Sequence, residues 1–86
     1  MEIASNDGYL LQFFYRRGIP ALGIEPAGNV AEVARSKGIL PINDFFGLGL
    51  AGQVAEEHGK ADLIIGNNVL AHVPALNDFV AGLKVL

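Results

Sequence analysis

The sequence predicts an α/β fold, a parallel sheet with helices on both faces. Three observations carry this expectation. Short apolar runs alternate with helical patterns along the whole chain, and polar or turn-forming residues close each run. Of the 86 residues, 51% are hydrophobic and only 17% are charged. That balance suits strands buried on both faces better than a sheet with one wet side. A chain this short forms one domain and hides only about 60–70% of its unfolded surface. It has no cysteine, so no disulfide adds to that burial.

The elements follow in order. Glu2-Ile3-Ala4 reads as the end of a strand, and Ser5-Asn6-Asp7-Gly8 as a small-residue turn. Leu10, Leu11 and Phe14 then share a helical face, with Asn6 or Asp7 as the cap. Residues 21–24 form a second strand that ends on Glu25-Pro26. Val30, Val33 and Ala34 mark a second helix, with Glu32, Arg35 and Ser36 outward. Residues 39–42 form a third strand, and Pro41, which has no N–H to donate, assigns it to an edge.

Leu48, Ala51, Val54 and Ala55 give a weaker stripe, broken by Gly47, Gly49 and Gly52. Residues 62–66 make the clearest strand, short, branched and followed by polar turn residues. Leu76, Phe79, Val80 and Leu83 complete the pattern at i, i+3, i+4, i+7 spacing. Gly18, Gly38 and Gly59 stand where left-handed helix caps are wanted. The first strand is already under way at Met1, and the last helix has no stop signal at Leu86. Strand–helix–strand alternation at this spacing implies right-handed crossovers and a parallel sheet.

Charge and hydropathy exclude several classes. A formal net charge of −3 with scattered Lys and Arg argues against nucleic-acid binding. The longest charge-free stretch, residues 63–77, is interrupted by Gly66, Asn67, Asn68, His72 and Pro74, and a membrane span needs about 20 apolar residues. No basic region precedes an apolar run at the N-terminus. The expected compartment is the cytoplasm.

In parallel α/β sheets, ligands bind beyond the carboxyl ends of the strands, near the point where strand order reverses. That rule selects residues 5–8, Glu25-Pro26, residues 67–72, and Asp44-Phe45-Phe46 after the third strand. Ala4, Ser5 and Gly8 leave room for a ligand to approach the backbone, and the following helix start offers free N–H groups to a carboxylate. The turn at residues 4–8 carries neither a Gly-x-Gly-x-x-Gly pattern nor a Walker loop, and Asp7 would repel a pyrophosphate. Glu25 stands 17 residues after Gly8, at the tip of the neighbouring strand. An acid so placed accepts hydrogen bonds from ribose hydroxyls. Ribose without a pyrophosphate cradle points to S-adenosylmethionine more than to NAD.

The stretches Glu-Ile-Ala-Ser-Asn-Asp-Gly-Tyr-Leu-Leu (2–11), Gly-Ile-Glu-Pro (23–26) and Ala-Asp-Leu-Ile-Ile-Gly-Asn-Asn-Val-Leu-Ala-His-Val (61–73) together resemble class I S-adenosylmethionine-dependent methyltransferases. More narrowly, they resemble the sugar C-methyltransferases that act on nucleotide-linked keto-deoxysugars. The resemblance covers essentially all 86 residues. It implies a partial Rossmann-like domain over residues 1–86, holding the first four strands in the order 3-2-1-4. It also implies a larger protein, with a zinc-binding N-terminal domain, later strands and a C-terminal domain. This chain offers no cysteine for that zinc and no other metal site.

Residue roles follow from the resemblance. Glu2, Ala4, Ser5, Asn6, Asp7 and Gly8 line the methionine end of the cofactor, with Glu2 or Asp7 near its ammonium. Glu25 holds the ribose, and Pro26 lies against the adenine. Asp44 and Phe45 make adenine contacts. Asn67 and Asn68 lie beneath the sulfonium. His72 falls where the family carries a histidine implicated in catalysis. Methylating carbon requires a proton to leave the carbon next to a ketone, and imidazole is the obvious base for that step.

Plainer roles stand beside these. Asn6 and Asp7 also read as helix caps, Phe45-Phe46 as core packing, and His58 as a solvated helix end. The expected partner of the complete parent is a nucleotide-linked sugar, with no nucleic acid and no membrane. The outer edge of the fourth strand favours self-association. A non-catalytic cofactor-binding or interaction module is the rival reading, ahead of an NAD-dependent domain. The chain by itself is expected to bind cofactor weakly and turn over nothing.

Overall fold

The computed structural model describes residues 1–86. Four strands, β1 (Glu2–Ile3), β2 (Leu22–Ile24), β3 (Leu40–Ile42) and β4 (Ile65–Gly66), form one sheet in the order β3-β2-β1-β4. All three pairings are parallel. The helices are α1 (Leu11–Arg16), α2 (Gly28–Ser36), α3 (Leu48–His58) and α4 (Leu76–Val85), with a 3-10 turn at Leu70–His72. The α/β class and the strand order agree with the sequence reading. Pro41 lies on β3, an edge strand, as its missing donor requires.

The helices divide between the two faces. Leu11 of α1 packs with Ala34 of α2 and Ile39. On the other face, Ala51 and Val54 of α3 pack with Leu86 against Leu22, Ile42 and Phe46. Strand order reverses at β1, because α1 and α2 lead to β2 and β3 on one side and α3 leads across to β4 on the other. No helix is long and apolar enough to cross a membrane.

Several local expectations change. The buried positions of α2 are Ala31 and Ala34, while Val33 faces solvent. The small residues lie inward because α2 sits close against Gly8, where an added Cβ would come 3.3 Å from the Ala34 Cβ. In α4 the buried positions are Phe79 and Gly82, not Leu76 and Val80. Phe79 meets Phe46 edge-on at 5.1 Å, and a Cβ on Gly82 would lie 2.9 Å from the Gly47 carbonyl. The helix is therefore rotated to bring its glycine against the start of α3.

Helix α1 begins at Leu11 with no side-chain cap bond. Asp7 instead holds the turn before it, accepting the Tyr9 N–H at 3.1 Å. Strand β4 is shorter than residues 62–66. Only Ile65 and Gly66 stand in register with β1, opposite Glu2 and Ile3, and the Ile65 N–H donates to the Met1 carbonyl at 2.9 Å. Gly18, Gly38 and Gly59 all take positive φ after their helices, as expected of the glycines there, although Gly59, with ψ −178°, is extended rather than in the left-handed helical cap conformation.

Candidate functional site at the carboxyl edge of the sheet

Two large hollows open on the sheet, and they lie at opposite ends of the strands. A groove of about 870 Å³ runs past Met1, Ala21, Leu22 and Leu63 at the amino ends. A cleft of about 700 Å³ lies at the carboxyl ends, between the loops that follow β1, β2, β3 and β4. The second is the candidate site despite being smaller, because parallel α/β sheets place ligands beyond the carboxyl ends at the switch point. Its volume falls in the range of small-molecule pockets, about 300–1,000 Å³.

Glu25 organises this edge. Its carboxylate accepts the Asn6 N–H through Oε1 at 2.9 Å and the Ala27 N–H through Oε2 at 2.9 Å. The side chain therefore ties the turn after β1 to the turn after β2. Each oxygen keeps a second acceptor position for a ligand. Asn43, directly after β3, donates from Nδ2 to the Glu25 carbonyl at 2.9 Å and to the Pro26 carbonyl at 2.8 Å. Three adjacent strand ends are thus joined by two side chains.

The backbone at this edge is strained. Ala4, Asn6 and Asn68 have φ of 60°, 56° and 55°, and they are the only non-glycine residues in the left-handed region. All three lie in the turns after β1 and β4. The conformation costs an L-residue about 1–2 kcal/mol, and strain of this kind concentrates at binding sites.

The electrostatics suit a cationic, hydroxyl-bearing ligand. Glu2, Asp7, Glu25 and Asp44 all sit at or just behind this edge, and Lys37, 3.6 Å from Asp7, is the basic residue paired there. Glu2 is buried, its Oε1 has no hydrogen-bond partner, and the same is true of Ser5 Oγ. Glu2 pairs in register with Gly23 and so leaves the sheet on the same face. Ser5 lies over Gly23 there, since a Cβ on that glycine would come 2.5 Å from its Oγ. Burial pushes the Glu2 carboxyl up from its ordinary value, with the N-terminal ammonium pulling the other way.

Along its whole length the chain is 33% identical to C-methyltransferase NovU of Streptomyces niveus, over 86 residues, and it spans 20% of that protein. The chain is thus similar along its whole length to about a fifth of a C-methyltransferase. No family model matches it.

The cleft gathers some of the sequence-selected residues and leaves others behind it. Ala4, Pro26, Asp44, Phe45 and His72 line the cleft. Phe45 is 77% exposed at its rim, so the core-packing role belongs to Phe46 alone. His72 ends the 3-10 turn, held by its N–H on the Val69 carbonyl at 3.0 Å. Asn6 and Glu25 form the tie beside the cleft. Asp7 and Gly8 lie in the turn leading to α1, where Gly8 has φ 81°. Glu2 and Ser5 lie behind, on the face covered by α1. Asn67 and Asn68 make an exposed turn, and the following Val69 lines the cleft in their place.

Sequence reasoning missed Asn43 and Asp78. Asn43 carried a signal, because it is the first residue beyond the third strand. Asp78 lines the cleft and accepts the Leu48 N–H at 3.3 Å, capping α3 from a position 30 residues away. No local pattern announces such a cap.

Proposed function

We propose that the chain is the cofactor-binding part of an S-adenosylmethionine-dependent C-methyltransferase acting on a nucleotide-linked keto-deoxysugar. The observation that carries this reading is the likeness of the whole chain to part of a C-methyltransferase. The carboxyl edge fits the cofactor's chemistry. Glu25 has free acceptor positions for a pair of ribose hydroxyls, and Pro26 with exposed Phe45 offers an apolar shelf for a purine. The surrounding carboxylates favour a positively charged methionine end. When bound, the cofactor supplies an electrophilic methyl group.

The chain's own residues bind, orient and move a proton. Glu25 and Asp44 fix the nucleoside end, and the turn at residues 4–8 presents backbone to the methionine end. His72, which also lines the cleft, is the candidate base that takes the proton from the sugar carbon next to the ketone. Holding the reacting carbon in line with the methyl group is a matter of positioning.

Calorimetric titration of the folded chain tests the reading. S-adenosylhomocysteine is expected to bind at one site per chain, and NAD to give no heat. His72→Ala is expected to leave that affinity unchanged, since a base for the sugar makes no demand on cofactor binding. A well-folded sample that ignores S-adenosylhomocysteine would favour a non-catalytic interaction module. Tighter binding of NAD would favour an oxidoreductase domain.

A further inference from the structure

We propose that Asn43 is a positioning residue of this site, fixing the Glu25–Pro26 turn and thereby the direction in which the Glu25 carboxylate meets a ligand's hydroxyls. The inference rests on the cofactor reading above and adds to it a residue that touches no ligand.

The argument starts from the ladder between β2 and β3. Glu25 donates its N–H to the Ile42 carbonyl at 2.9 Å. In a parallel ladder the next bond in that series would run from the Asp44 N–H to the Glu25 carbonyl. It does not form. The Asp44 N–H turns back to the Ile42 carbonyl at 3.1 Å, and the chain leaves the sheet. The Asn43 side chain takes the vacated place, donating to the Glu25 carbonyl at 2.9 Å. Its second N–H goes to the Pro26 carbonyl at 2.8 Å. Both donors of the amide are then used on one turn.

That turn carries the acid. Glu25 is 8% exposed, and its carboxylate already spans the Asn6 and Ala27 amides, so small rotations of the turn redirect its two remaining acceptor positions. Asn43 itself is exposed and packs into no core cluster. Its only side-chain bonds are those two, so its role concerns orientation of the turn more than stability.

The test compares the wild-type chain with Asn43→Ala, which removes both donors, and Asn43→Asp, which keeps the shape and sets a carboxylate against two carbonyls. Titrations use S-adenosylhomocysteine and its analogue lacking the ribose 2′-hydroxyl. A hydrogen bond to a charged group is worth about tenfold or more in affinity. The wild-type chain is expected to prefer the hydroxyl-bearing ligand by about that factor. Both variants are expected to stay folded, to bind S-adenosylhomocysteine roughly five-fold more weakly, and to lose most of the hydroxyl preference. An unchanged preference in folded variants overturns the proposal.

Amide hydrogen exchange at Asn6 and Ala27 reads the same tie without a ligand. Faster exchange at both in the variants is expected, and unchanged rates overturn the proposal. If the wild-type chain binds no S-adenosylhomocysteine, the cofactor reading fails and the exchange rates alone decide the role of Asn43.

Discussion

The two ends of the sheet are built differently. At the carboxyl edge, polar side chains reach backbone groups on neighbouring loops, and three non-glycine residues hold left-handed backbone. At the amino edge, an apolar groove borders Ile19 at 47% exposure and Leu63 at 61%, and the side chains make no comparable ties. The larger hollow is therefore the less specific one. A site for a particular ligand requires convergent polar groups held in place, and only the carboxyl edge supplies them. The amino edge has the character of a packing surface.

Glu25→Ala should break this contrast most severely. It removes the tie between the turns after β1 and β2 and, with it, the acceptor proposed for the ligand's hydroxyls. Affinity for S-adenosylhomocysteine should fall by about 30-fold or more, and denaturant unfolding should show a loss of about 1–2 kcal/mol from the two orphaned amides.

Leu63→Lys tests the other edge. An exposed apolar residue beside an edge strand promotes association, and a charge there opposes it. Sedimentation at high concentration should show less self-association than for the wild-type chain. Cofactor affinity should stay within about two-fold, because the groove lies at the far end of the strands.

Glu2 gives a smaller, pH-dependent effect. Its carboxyl is raised by burial, so the folded chain holds the proton more tightly than the unfolded chain. Stability from this group is fully present below the ordinary carboxyl value of 4.5 and is lost as pH rises through the raised value. Glu2→Gln should remove that decline and flatten stability against pH over the window, measured by thermal unfolding.

The smallest expected change is a gain. Ala4→Gly relieves the left-handed strain at φ 60° and should raise stability by a few tenths to about 1 kcal/mol. A loss would mean that the Ala4 methyl packs more than its place in the cleft lining indicates.

What could be read beforehand was local. Pro41 announced an edge strand through its missing donor, and Gly18, Gly38 and Gly59 announced caps through their freedom at positive φ. The turn after β1 and the acid after β2 were legible because each sits at a strand end. What could not be read depended on distant partners. The extent of β4 follows from its register with Glu2 and Ile3, and the rotation of α4 follows from Gly82 meeting Gly47. The Asp78 cap on α3 joins residues 30 apart in sequence. The position of Asn43 just beyond the third strand was legible, but its two bonds to the Glu25–Pro26 turn depend on the Asp44 N–H turning away from the ladder.

Amide chemical-shift mapping with S-adenosylhomocysteine tests the contrast between the edges most directly. At saturation, the amides of Asn6, Ala27, Asn43, Asp44, Phe45 and Val69 should shift, while those of Ile19 and Leu63 stay fixed. Shifts confined to the amino groove, or none on a folded chain, would contradict the assignment of the site to the carboxyl edge.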